Sequence, residues 1–168
     1  MKKIIAVLLL SAAFAAPAFA ENNYYAGVQV GNGIGILGGL QIDKIFSVEA
    51  DYTSYSNNSY FYRSNFNNCG FSNCSNYVNA SSLGIFGVGT IPLQFKGTSA
   101  LSAFGKIGIV RTAVSASYAG VDYSRTEIGL GAGVGAEYDF HNSLAARAGV
   151  DVNSFYSADI YIGGIVKF

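Results

Sequence analysis

Over much of the chain, apolar and polar or small side chains alternate residue by residue. In RTEIGLGAGVGAEYDF, Ile128, Leu130, Ala132, Val134, Ala136 and Tyr138 fall on one face, and Glu127, Gly129, Gly131, Gly133, Gly135 and Glu137 fall on the other. The next segment sets Leu144, Ala146, Ala148, Val150 and Val152 against Arg147, Gly149, Asp151 and Asn153. The last sets Ile160, Ile162, Gly164, Val166 and Phe168 against Tyr161, Gly163, Ile165 and Lys167. Upstream, Phe46, Val48, Ala50 and Tyr52 oppose Ser47, Glu49, Asp51 and Thr53. A period of two is that of an extended strand. Eight such segments are predicted, near 23–31, 34–42, 46–55, 81–91, 100–112, 125–138, 143–153 and 160–168. In the fourth, Leu83, Ile85, Phe86 and Val88 make both faces apolar, so its facing is undecided.

The connections alternate in kind. Those at 43–45, 92–99 and 139–142 are short or moderate, whereas 56–80 and 113–124 are longer, and 32–33 is very short. The apolar faces are rich in Ala and Val and lack the varied bulk of a jigsaw core. The opposite faces carry Gly, Glu and Arg, which suits a narrow, partly wet interior. That inverts the soluble arrangement, in which the apolar face is buried, and points to lipid outside and charges inside. Composition agrees: the 168 residues include 21 Gly, 12 Tyr and 12 Phe but only 2 Pro, and charged residues are 12%, about half the usual share. Beyond the N-terminus no stretch approaches the ~20 apolar residues of a membrane helix. The expected fold is all-β, a membrane-spanning antiparallel eight-stranded up-and-down barrel.

The N-terminus places this fold in an exported protein. Lys2 and Lys3 precede an apolar run from Ile4 to Leu10, and Ala18-Phe19-Ala20 ends the segment. These are the parts of a secretory signal peptide, residues 1–20, with cleavage before Glu21 and residues 21–168 forming the barrel domain. The apolar run is too short for a spanning helix, and no Cys follows the cleavage point to carry a lipid. Charge is nearly balanced, which gives nucleic acid no handle.

The stretches NYYAGVQVG, VEADY, GVGAEYDFHNSLAARAGVD and YIGGIVKF, in this order, resemble the OmpA-type family of small eight-stranded outer-membrane barrels, with a length like its OmpX-sized members. They are spread along the chain from residue 23 to residue 168. The resemblance implies the outer membrane of a Gram-negative bacterium, lipid as surroundings, and a monomer. No peptidoglycan-binding domain is expected after the barrel. It also implies an assembly signal on the last strand, carried by Tyr161, Gly163, Val166 and Phe168, which the barrel-assembly machinery would read. Val166 occupies a slot that is often aromatic in the family. The family has inward Glu, Lys and Arg partners, and by motif Glu137, Arg147 and Lys106 are their counterparts.

On the alternation, the charges expected to face the lumen are Glu49, Asp51, Lys106, Glu127, Glu137, Arg147, Asp151 and Lys167. An eight-stranded barrel is just filled by side chains, and charges there persist only if paired. They are read as a structural ion-pair core or as a gated, narrow low-conductance pore. Cys69 and Cys74 lie in a long loop of an exported chain and are expected to form a disulfide at its tip. That loop is rich in Asn. Its Tyr60, Phe61, Tyr62, Phe66 and Phe71, with Arg63, form either a contact surface for a host or surface ligand or part of an interfacial aromatic girdle. A structural and surface-interaction role carried by such loops is expected, with no catalysis.

Two further motifs are weighed and set aside. Gly33, Gly35 and Gly38 match G-x-G-x-x-G, but strand follows strand where a dinucleotide site needs a helix. His141-x-Ser143 resembles the pair of outer-membrane lipid A deacylases, which would make this a lipid-modifying enzyme. Here the motif falls in a tight turn on the periplasmic side, away from outer-leaflet lipid. No cofactor or metal is expected. The exported, membrane-bound reading predicts a mature N-terminus at Glu21 and recovery in the outer-membrane fraction. Terminal sequencing and fractionation check it, and a soluble periplasmic product would contradict it.

Overall fold

The computed structural model describes residues 23–56, 78–93, 100–118, 121–153 and 156–168. Eight strands follow in chain order: β1 Tyr24–Val30, β2 Ile34–Gln41, β3 Phe46–Ser56, β4 Val78–Pro92, β5 Leu101–Tyr118, β6 Val121–His141, β7 Leu144–Asn153 and β8 Tyr156–Lys167. Each pairs antiparallel with its neighbours in sequence, and β1 pairs with β8, so the sheet closes into a barrel. The closing ladder runs from Tyr25↔Lys167 to Val30↔Ile162. Closure is what lets strands cross hydrocarbon, where a free edge would leave backbone groups unpaired.

The alternation selects the face that meets lipid. Ile107, Ile128 and Ile160 are 67%, 68% and 70% exposed, and Ile34, Ile85, Leu130, Val134 and Ile162 are similarly bare. So continuous an apolar belt is stable only against lipid. Near the end where the turns at 42–45 and 142–143 lie, the outward residues include Tyr24, Phe46, Tyr138 and Phe140. Tyr138 and Phe140 meet edge to face at 5.0 Å, an aromatic girdle of the interfacial kind. The long connection between β3 and β4 lies at the opposite end, which marks this end as periplasmic. In the 42–45 turn, Asp43 Oδ1 accepts the backbone N–H groups of Ile45 and Phe46, both at 2.7 Å. Those two bonds favour the ionised form and hold its carboxyl below the usual range.

The undecided fourth strand resolves cleanly. Leu83 and Ile85 face lipid, whereas Phe86 and Val88 are buried in the lumen. Both faces are apolar because the lumen has an apolar lining of its own: Phe86, Val88, Phe104, Val110 and Tyr161 cluster there, and Tyr25, Leu37, Ala145 and Ile165 form a second group.

The segment 113–124 is not the long loop expected. β5 and β6 stay paired as far as Tyr118↔Val121, and β4 accompanies β5 to Val78↔Ala116. Hydrophobic alternation fades there because the strands have left the lipid. Beyond the row Tyr52, Leu83, Arg111 and Ile128, the outward positions become Ser54, Ser81, Ala113 and Thr126, then Asn79, Ser115 and Ser124. Strands β7, β8, β1 and β2 end near the lipid boundary, so β3–β6 rise past them as a four-stranded sheet. The β6–β7 ladder begins at Gly131↔Asn153. Among the described residues, Val121–Gly129 therefore have no partner strand on that side.

Close packing in the barrel wall depends on glycine at one position in particular. A Cβ on Gly108 would overlap the Ile85 carbonyl oxygen and lie 2.7 Å from Phe86 Cα, both backbone atoms of the adjacent strand. At lipid-facing Gly38 the nearest atom is the Tyr25 carbonyl oxygen at 3.8 Å. Gly108→Ala should therefore cost about 1–3 kcal/mol through strand displacement, with Gly38→Ala near neutral. Urea unfolding in lipid vesicles, followed by gel mobility, measures the difference; equal midpoints would refute it.

Candidate functional site: the charged lumen

Alternation on β3, β5, β6, β7 and β8 points one charged residue after another into the barrel axis, and the closed ladder brings them within reach of one another. Lys106 Nζ lies 2.8 Å from Asp151 Oδ2, 3.2 Å from Asp51 Oδ2 and 3.6 Å from Glu49 Oε1. Arg147 donates from Nη1 to Glu49 Oε2 at 2.5 Å, and from Nε and Nη2 to Glu137 Oε2 at 3.0 and 2.9 Å. Lys167 Nζ continues the series to Glu137 Oε1 at 2.9 Å and Asp139 Oδ1 at 2.5 Å. Opposite charges thus alternate along the lumen from Asp151 down to Asp139. Glu49, between the two central cations, is wholly buried.

Aromatic rings complete the environment of the cations. Lys106 Nζ stands 4.6 Å from the Phe86 ring centre and 5.5 Å from that of Tyr161. The Arg147 guanidinium stands 4.6 Å from Phe104 and 5.6 Å from Tyr25. Ring faces attract cations most strongly where water is excluded. The Tyr25 hydroxyl also donates to Glu49 Oε2 at 3.0 Å. The glycine row on β6 makes the space: a Cβ on Gly133 would overlap the Asp151 carboxylate and press on Lys106, and one on Gly135 would press on Phe104.

Of the charges expected inside, Glu49, Asp51, Lys106, Glu137, Arg147, Asp151 and Lys167 come together. Glu127 does not join them: it sits higher on β6 and pairs with Arg125, whose side chain is largely exposed. Asp139 and Asp159 also face inward and were missed. Each shares the parity of a lumen residue on its strand, Glu137 and Tyr161, and that parity was the available signal. Tyr25, Phe86 and Phe104 had no such signal, because an inward aromatic reads in sequence like a lipid-facing one.

Other candidates fall as follows. On β8, Tyr161 and Gly163 face the lumen and Val166 faces outward, while the Phe168 N–H donates to the Tyr24 carbonyl at 2.8 Å. At the β6–β7 turn the Ser143 backbone N–H donates to His141 Nδ1 at 3.5 Å. The imidazole there closes a turn at the periplasmic end. Cys69, Cys74 and the loop residues Tyr60, Phe61, Tyr62, Arg63, Phe66 and Phe71 lie outside the described residues, as does the segment 1–20.

Cavities flank the ion pairs. One of about 190 Å³ opens at the periplasmic mouth between Lys44, Ser47, Ser102, Glu137, Arg147 and Lys167. A smaller one of about 30 Å³ lies on the extracellular side. A closed eight-stranded barrel with a lipid-facing belt, aromatic girdle and plugged charged lumen defines a small integral outer-membrane protein. The chain belongs to the outer membrane protein beta-barrel domain family, whose pattern it matches over residues 6–164. Among solved structures it is similar to the N-terminal barrel domain of Pseudomonas aeruginosa OprF, at 12% identity over 86% of this chain and 95% of that one, with a TM-score of 0.62. Neisserial surface protein A matches at 20% identity over 86% and 94%, also with 0.62. The Yersinia pestis attachment invasion locus protein Ail matches at 11% over 86% and 92%, with 0.52. These likenesses are of fold. No curated protein sequence matches the chain.

Arg147 is the joint of the lumen, since among the described residues it alone bridges Glu49 and Glu137. Arg147→Ala should cost roughly 3–5 kcal/mol, because both carboxylates stay buried and lose their shared cation. Arg147→Lys should recover part of that. Denaturant unfolding in micelles measures both; an unchanged midpoint for the alanine variant would show that water already carries these charges.

Proposed function

We propose that the barrel is a rigid, monomeric, non-catalytic scaffold that presents a surface-interaction site, for adhesion or partner binding, at its extracellular end. The observation that carries this reading is the sheet of β3–β6 standing beyond the lipid boundary, where among the described residues Val121–Gly129 of β6 have no partner strand on the side away from β5. An unpaired strand edge is a template for another extended chain. The Asn- and aromatic-rich loop joins β3 to β4, two strands of that same sheet. Contacts from Tyr60, Phe61, Tyr62, Arg63, Phe66 and Phe71 would therefore be mounted on it, with the Cys69–Cys74 disulfide pinning the tip. Ail, a fold relative at low identity, is by name an attachment protein, and the proposal extends a comparable role to this chain. Export by residues 1–20 and recognition of Tyr161, Gly163, Val166 and Phe168 by the assembly machinery belong to the same reading.

A second reading, a narrow low-conductance pore, draws on the two cavities that the lumen holds, one at the periplasmic mouth and one on the extracellular side. Shortening residues 58–76 to a few turn-forming residues separates the two. A scaffold should stay folded and heat-modifiable while cells lose binding to host surfaces, with planar-bilayer recordings silent before and after. Discrete single-channel openings that grow in Arg147→Ala, with binding unaffected by the shortened loop, would favour the pore instead.

A further inference from the structure

The outward face of the barrel carries one charge among its apolar residues. Among the described outward positions between the periplasmic girdle and the row of Ser81, Ala113 and Thr126, Arg111 is the one charged side chain, and it is exposed. Its partners on the adjoining strands, Leu83 and Ile128, are apolar and exposed. Among the described residues Arg111 forms no ion pair. Glu127 is on the other face of β6 and pairs with Arg125. Asp122, whose ladder partner is Ser117, lies six positions further along β5, about 20 Å away. Residues 57–77 contain no Asp or Glu that could serve instead.

Depth gives this charge its meaning. Arg111 stands ten residues along β5 from Leu101, whose partner is the girdle residue Tyr138. At ~3.3 Å per residue and a strand tilt of roughly 40°, that is about 25 Å, the height of the apolar band of an outer-membrane barrel. A cation is costly at mid-bilayer and costs little at the interface. Arg111 therefore stands at the level of the outer-leaflet headgroups. Ser81 and Thr126 flank Ala113 one step further out, and each brings a hydroxyl beside the guanidinium. A guanidinium presents a fork of donors that matches two phosphate oxygens, and the hydroxyls can donate to an oxygen left over. Below it, Leu83, Ile85 and Ile109 offer bare apolar surface for acyl chains.

We propose that Arg111, with the Ser81 and Thr126 hydroxyls beside it, binds the phosphate of an acylated outer-leaflet glycolipid of the lipid A kind, and so fixes one lipid molecule against β4–β6. A free phosphate ion has no acyl chains to lie on Leu83 and Ile109, and is the poorer ligand. The site is on the lipid-facing wall, below the outer part of the sheet, and the inference does not depend on the surface role.

The test uses the full mature chain refolded in non-ionic micelles at fixed ionic strength. Bisphosphorylated lipid A or its dephosphorylated form is titrated in, and bound lipid is counted by native mass spectrometry. The phosphorylated lipid should bind roughly tenfold more tightly than the dephosphorylated one. Arg111→Gln should remove that preference, Arg111→Lys should keep part of it, and Arg125→Gln should leave it intact. Equal binding of the two lipids would overturn the proposal, as would an Arg111→Gln barrel that keeps the preference. Loss of the preference in Arg125→Gln alone would move the contact to the outer sheet and reject the site. Displacement of the lipid by excess inorganic phosphate would assign the site to the free ion instead. Should Arg111→Gln fail to fold, the paired substitution Ser81→Ala and Thr126→Ala decides: a weakened preference supports the site, and an unchanged one rejects it.

Discussion

Hydrocarbon offers a peptide group nothing to bond with, and the rest of this structure depends on that constraint. Every N–H and C=O at membrane depth must find a partner in the sheet, so β8 has to return to β1 and the strand number has to let it. Once the ladder closes, the two faces of each strand are no longer equivalent. One faces lipid and tolerates almost any apolar side chain. The other faces a space too narrow for bulk water and too wide to leave empty. The Ala- and Val-rich outer face and the specific inner one are both consequences of closure.

The inner face solves a packing problem and an electrostatic problem together. Glycines on β6 leave volume that Lys106, Asp151 and Phe104 occupy from neighbouring strands. Lys106 and Arg147 are wedged between aromatic rings and carboxylates, and Glu49 between them touches both cations and the Tyr25 hydroxyl. Removing a single member would leave a buried charge without compensation, which costs far more than an exposed ion pair contributes. Such a lumen fills the barrel at mid-depth with paired charges and rings.

At the extracellular end the lipid constraint lapses. Water can satisfy a strand edge, so β6 no longer needs β7 beside it, and outward residues turn to Ser, Thr and Asn along four adjacent strands. The sheet can then project past the bilayer, and an unpaired edge that would be intolerable in hydrocarbon becomes available to a partner. The same change of solvent, across a few residues of one strand, separates the membrane anchor from the surface proposed to interact.

Much of this was legible in the chain. The period-two pattern and the inverted placement of charge determine an antiparallel barrel with lipid outside, because alternation is local and every strand shows it. Parity on β3, β5, β7 and β8 likewise assigns Glu49, Asp51, Lys106, Arg147, Asp151 and Lys167 to the inside. Three things were decided only by the tertiary structure. Which charge meets which depends on inter-strand register, as Arg147 meeting both Glu49 and Glu137 shows, and register is a property of pairs of strands. The inward aromatics Phe86 and Phe104 were hidden because hydrophobicity is the same signal whether a ring faces lipid or lumen. The outer part of β5 and β6 looked like a loop because alternation of apolar and polar residues reports contact with lipid, and a strand that leaves the bilayer keeps its hydrogen bonds while losing the reason for that pattern.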